Sequence, residues 1–180
     1  MDQNPIFVYG TLMRGERAFS LLSSYSVHYG IAKLPHARLY ASPAGYPLAV
    51  ELDRGHNRVS PVVWGEVHWL RPAGYAALLA RLDHYEGDEY RRQLRSVFLM
   101  DQDGVYDGGA TNSQSGRAPG ARQHALDCGC DKNRSFHLAQ NSGSHSEQSI
   151  DAWVYLSDAA HVGQFPQIPG GNWRTRGNRC

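Results

Sequence analysis

Two short stretches carry residue types able to do chemistry. Tyr9-Gly10-Thr11-Leu12 follows the first apolar run, Ile6-Phe7-Val8, and Glu86 stands between Leu82-Asp83-His84-Tyr85 and Gly87. A strand that turns sharply at glycine can leave consecutive backbone N–H groups facing an anion. A carboxylate at the C-terminal end of a helix meets the partial negative charge there, about half an electron, which disfavours its ionised form. Burial would push its pKa the same way. An anion cradle and one isolated base suit a reaction in which the substrate supplies its own nucleophile. Alone, neither stretch is specific: a glutamate after a helical stripe is ordinarily solvated, and YGTL is ordinary strand-to-turn punctuation.

The elements that must position these residues follow from periodicity. Residues 6 to 9 read as a buried strand broken by Gly10, and Arg17 to Ser24 as a short helix. Strand pieces at Gly30–Leu34 and Ala37–Tyr40 are interrupted by Pro35, and Leu48–Leu52 forms another after the turn Ala44-Gly45-Tyr46-Pro47. Val62–Leu70 is the clearest strand, β-branched and aromatic, with Gly65 marking a bulge or a close backbone approach. Pro72 is placed to open a helix. Leu78, Leu79, Leu82 and Tyr85 give that helix one apolar stripe, and Gly87 is its left-handed cap, so Glu86 falls at its end.

Strands follow at Leu94–Met100 and Ile150–Leu156, and Gly170–Arg174 closes the ordered part. Trp64 and Trp153 are expected in the core. From Asp101 to Ser149 the chain turns to Gly, Ser, Asn, Gln and Asp, the composition of a linker, lid or flexible insertion. The whole reads as one α+β domain, residues 1–180, with a barrel-like sheet and a polar insertion at about 101–149.

With 180 residues and 41% hydrophobic content the chain can bury a real core, while 19 glycines and a mean hydropathy of -0.51 fit the polar insertion. A net charge of +1, with basic and acidic residues interspersed, argues against nucleic acid or an anionic membrane as partner. The cations are nearly all arginine, lysine occurring only at Lys33 and Lys132. The N-terminal residues lack the basic and apolar regions of a signal peptide, and no run approaches the roughly 20 apolar residues of a membrane span. The expected location is the cytoplasm, where Asn133-Arg134-Ser135 would not be glycosylated. Three cysteines make no disulfide framework. Cys128-Gly129-Cys130, near His124, His137 and His145, is spaced too tightly for the common zinc knuckle, so no metal is expected. No GxSxG elbow, P-loop or HExxH is present.

Val8-Tyr9-Gly10-Thr11-Leu12, Gly45-Tyr46-Pro47, Trp64-Gly65-Glu66-Val67, Leu82-Asp83-His84-Tyr85-Glu86-Gly87, Tyr90-Arg91-Arg92 and Ala152-Trp153-Val154-Tyr155 occur in this order. Together they resemble the γ-glutamylcyclotransferase family, in the branch of the AIG2-like and γ-glutamylamine cyclotransferase proteins. The likeness runs from Phe7 to Leu99 and resumes from about Ala152 to Trp173; the insertion departs from it.

The resemblance implies a small mixed β-barrel with flanking helices and no cofactor. It implies an enzyme in which a γ-glutamyl α-amine attacks its own γ-carbonyl, releasing 5-oxoproline and an amine or amino acid. By matched position Glu86 would be the general acid/base. Tyr9, Gly10, Thr11 and Leu12 would grip the glutamyl group, their N–H groups receiving its α-carboxylate or a carbonyl oxygen, with Gly10 leaving room for close approach. Tyr90 would be an aromatic wall or hydroxyl donor. Asp83 and Glu89 read as surface or capping residues, and Arg91 and Arg92 as strand-edge charges. The partner is a small γ-glutamyl compound; free amino acids, the lysine ε-amine, polyamines and an amine on a small secondary metabolite are all candidate leaving groups. The alternative is a non-catalytic ligand-binding or regulatory module on the same fold.

Overall fold

The computed structural model describes residues 3–53, 60–100 and 148–176, all within one unit of the chain. In chain order the strands are β1 (Ile6–Val8), β2 (Ser26–Pro35), β3 (Ala37–Ala41), β4 (Pro47–Glu51), β5 (Val62–Leu70), β6 (Arg91–Leu99) and β7 (Gln148–Leu156). The helices are α1 (Ser20–Ser23), α2 (Tyr75–Glu86) and α3 (Ala159–Val162). Five strands close a barrel in the order β1-β5-β2-β6-β7, and β3 and β4 form a separate antiparallel pair. The barrel is mixed: β1 runs parallel to β7, and every other barrel neighbour is antiparallel.

Gly65 shows how closely the barrel is drawn. A Cβ there would run into the carbonyl oxygen of Val8 and lie 2.7 Å from the Phe7 ring. The β2–β5 register continues unbroken through Gly65, and the irregularity falls instead between Ser26 and His28. Close approach of β1, rather than a bulge, excludes a side chain at this position. The core runs from Ile6, Phe7 and Val8 through Val63, Val67, Val97 and Val154 to Trp173.

Helix α2 is built from alanine, leucine and arginine, all strong helix formers. Leu78 and Leu82, one turn apart, are fully buried, and Leu79 is nearly so; each leucine stabilises the docked helix by roughly 2 kcal/mol of apolar transfer. The helix ends where the N–H of Gly87 bonds to the Asp83 carbonyl oxygen. Gly87 has φ 65°, as a glycine cap should, but its ψ of -159° lies outside the left-handed helical region. A 3-10 turn, Gly87–Glu89, then swings the chain into Tyr90 and β6.

Several expected boundaries move. Pro72 precedes the helix in a turn closed by Tyr75 N–H on its carbonyl, and Gly74, at φ 83°, is the N-cap. Only Ser20–Ser23 of the Arg17–Ser24 segment is helical, the rest being successive turns. Pro35 belongs to β2, and the break falls at His36, whose φ is 55°. Trp64 is only half-buried and stands outside the core cluster, Trp153 is half-buried and packs against it, and Trp173 is the buried tryptophan. Strand β7 starts at Gln148, inside the segment read as insertion. Residues 101–147 lie outside the described residues, and with them Cys128, Cys130 and the neighbouring histidines.

Candidate active site

The chain leaves β1 at Val8 and folds back through a series of turns. Met13 N–H bonds to the Gly10 carbonyl at 3.0 Å, and Ala18 N–H to that of Thr11 at 2.9 Å. Among the described residues the N–H groups of Gly10, Thr11 and Leu12 have no acceptor. The room beside Gly10 is taken by Pro47: a Cβ would overlap that ring, its Cδ 2.9 Å away. The glycine is thus required by packing of the loop against β4, a different reason from the ligand approach expected of it.

One cavity of about 270 Å³ opens over this loop. Phe7, Val8, Tyr9, Leu12, Pro47 and Tyr155 are its buried floor. Glu86, Tyr46 and Tyr90 are half-buried at its sides, and Arg17, Tyr85 and Glu89 are exposed at its rim. All six residues singled out from sequence, Tyr9, Gly10, Thr11, Leu12, Glu86 and Tyr90, line it. They converge because the end of α2 and the following 3-10 turn deliver Tyr85, Glu86, Glu89 and Tyr90 to one place, opposite the loop after β1. Thr11 Oγ1 and Tyr85 Oη join the two sides at 3.3 Å.

Glu86 has no hydrogen bond or ion pair among the described residues, and burial alone pushes its carboxyl up to about 7. The surrounding phenols are held protonated. Burial, then the Glu86 charge, raises Tyr9, whose hydroxyl donates to the Tyr155 carbonyl at 2.6 Å. Burial raises Tyr90, with the neighbouring Tyr9 and Glu86 adding to it, and its hydroxyl donates to the Pro47 carbonyl at 2.7 Å. Burial and the Asp83 carboxylate raise Tyr155, which donates to Asp83 at 2.7 Å. With their protons committed elsewhere, these tyrosines shape the cavity and leave Glu86 as its group poised near neutrality.

Sequence reasoning missed several contributors. Asp83 and Glu89, read as surface or capping residues, are both exposed, yet Asp83 also anchors Tyr155 and pairs with Arg92 at 3.2 Å. Glu89 accepts from the Tyr46 hydroxyl at 2.6 Å on the rim. The spacing Tyr85, Glu86, Glu89, Tyr90 held this signal, since a helix end followed by one tight turn brings all four to one side. Glu66 is 2% exposed and receives Arg14 N–H at 2.8 Å, Arg174 Nη2 at 2.9 Å and His68 at 3.3 Å. Arg174 also donates to the Arg14 carbonyl at 2.7 Å, so both backbone groups of Arg14 are held. This clamp fixes the loop just beyond Leu12. Nothing in the spacing of Arg14, Glu66 and Arg174 announces it. Among the described residues no cluster of His, Cys, Asp and Glu could hold a metal ion, and no helix is long and apolar enough to cross a membrane.

The family model described as gamma-glutamyl cyclotransferase, AIG2-like, matches residues 6–112. The chain belongs to this family. The matched span carries the loop after β1, β5 and the whole of α2 with Glu86. Among solved structures, this AIG2-like chain is similar to an AIG2-like protein from Mus musculus, at 19% identity and a TM-score of 0.53, over 99% of this chain and 100% of that one. It is similar to c4763, a uropathogenic E. coli-specific protein, at 17% identity and a TM-score of 0.50, over 97% and 95% of the two chains. It is also similar to YkqA from Bacillus subtilis, at 18% identity and a TM-score of 0.50; there it covers 95% of its own length and spans only 39% of the other. At such identities these likenesses speak for the fold. No curated protein matches the chain.

Proposed function

We propose that this AIG2-like protein is a γ-glutamyl cyclotransferase that cleaves a γ-glutamyl amide into 5-oxoproline and a free amine. The observation that carries this reading is Glu86, a carboxyl without a partner among the described residues, pushed up to about 7 in a cavity also lined by Gly10, Thr11 and Leu12, whose N–H groups have no acceptor among those residues. An acid with that pKa can take a proton and return it near neutral pH.

In the reaction the substrate's α-amine attacks its own γ-carbonyl carbon, forming the lactam C–N bond. Glu86, as carboxylate, takes a proton from the attacking nitrogen. The carbonyl oxygen becomes an oxyanion, for which the cradle N–H groups are suitable donors. Glu86 then gives the proton to the amide nitrogen as the original C–N bond breaks, and the base is regenerated. Ring closure is intramolecular, so holding the chain folded supplies much of the rate; effective molarities for well-oriented cases reach about 10⁵ M or more. The aromatic floor and the committed tyrosine hydroxyls provide the fixed walls for that folding.

The test is 5-oxoproline release, followed by mass spectrometry over a panel of γ-glutamyl amino acids and amines. Wild type and Glu86→Gln are run together. Release by wild type, falling about 10²- to 10⁴-fold in Glu86→Gln while γ-glutamyl ligands still bind, supports the reaction. A folded protein that binds these ligands and consumes none of them would make it a binding module instead.

A further inference from the structure

Deepening that reading, and resting on it, we infer that Arg17 selects the leaving group, favouring an amine that carries a carboxylate. Substrate geometry favours the leaving-group end for Arg17. The α-amine and γ-carbonyl must both lie by Glu86 and the loop after β1, in the half-buried and buried parts of the cavity. The substituent on the amide nitrogen then extends toward the rim, where the exposed side chains are Arg17, Tyr85 and Glu89.

Of the two charges at the rim, one is engaged and the other is not. Glu89 accepts the Tyr46 hydroxyl at 2.6 Å. Arg17 makes no hydrogen bond or ion pair among the described residues. Its backbone segment is tied to the loop after β1, since Ala18 N–H bonds to the Thr11 carbonyl at 2.9 Å. One edge of its guanidinium lies beside Gly45, where a Cβ would stand 3.9 Å from Nη1, in ordinary van der Waals contact. Exposed on the cavity and without a partner among the described residues, the planar donor fork can take a ligand there, and a carboxylate is the group it pairs with best. A bare alkylamine leaving group gains nothing from Arg17, and a polyamine meets its like charge there, although Glu89 on the same rim offers it the opposite one.

Two substrates differing only in the carboxylate test this: γ-glutamyl-alanine and γ-glutamyl-ethylamine. Wild type is expected to favour the alanine amide about tenfold in kcat/KM, chiefly through KM, the size of one partly exposed charge-assisted contact. Arg17→Met should bring the ratio of the two toward one, Arg17→Lys should keep part of it, and Arg17→Glu should reverse it. Equal processing by wild type overturns the inference. So does Arg17→Met if it lowers both substrates alike, since Arg17 would then hold the glutamyl carboxylate common to both. Silence toward both amides would sink the reaction, and calorimetry then decides the residue separately. Tighter binding of the alanine amide to Glu86→Gln, lost on adding Arg17→Met, supports Arg17; equal affinities overturn it.

Discussion

At the scale of single residues, the protein's character rests on one carboxyl kept out of water. Folded, Glu86 holds its proton up to about 7, against 4.5 for an ordinary glutamate. Between those values the folded state binds more protons than the unfolded chain. Stability is therefore lost as pH rises through that window and levels off above it. A glutamine, which never ionises, escapes the penalty. Glu86→Gln is expected to melt higher than wild type at pH 8, by the equivalent of on the order of 1–3 kcal/mol, with the gap closing by pH 4. Thermal melts across pH check this, and equal melting at both ends would mean a solvated carboxyl. The same titration predicts an acidic limb near pH 7 in the kcat/KM profile of wild type. Glu86 was legible in the sequence because an apolar stripe, a terminal acid and a glycine cap fix its place on the helix. Its isolation from any partner was not, since that depends on what β1 and the hairpin of β3 and β4 place around it.

At the scale of elements, the cavity is a helix end set against a loop, and the loop is the part with no periodicity of its own. Its order comes from Glu66. Burial pushes that carboxyl up, but hydrogen bonds from His68, the Arg14 N–H and Arg174 outweigh it and hold the group below the usual carboxylate range. A depressed acid stabilises the fold above its unfolded pKa, near 4.5, and that contribution is lost as pH falls through the lower folded value. Glu66→Gln should flatten this acid limb. It should also lower kcat/KM several-fold or more, because Arg174 would grip an amide rather than a charge and the cradle would loosen. Unchanged acid denaturation alongside unchanged kinetics would remove Glu66 from the loop's support. The strands were readable where β-branched runs made them so, as in Val62–Leu70. The turns at His36 and Gly74 were not, because a positive φ leaves no mark in the apolar periodicity. Tyr25 lies 2.9 Å from where a Gly74 Cβ would stand.

At the scale of the whole molecule, the closed barrel was legible as a class from strand number, the glycine at position 65 and the order of motifs. Its strand order was not, because parallel pairing of the first and last barrel strands joins residues far apart in sequence, such as Phe7 and Val154. That pairing bears on the long polar segment. The barrel needs β7 beside both β1 and β6 to close. β6 and β7 are antiparallel and in register to their ends, Leu99 opposite Gln148. Their joined ends require only a hairpin loop, and loops of 2–5 residues or so suffice for that. Removing residues 105–147 leaves residues 100–104 to make the turn. Loop-closure entropy changes slowly with length and favours the shorter connection, so the barrel should survive the excision. We expect the shortened chain to unfold in one cooperative transition with a midpoint at or slightly above that of the full chain. Thermal and denaturant unfolding by two probes would measure it. A broad or probe-dependent transition would show that the segment supplies packing the barrel depends on, and that β6 and β7 do not hold their register by themselves.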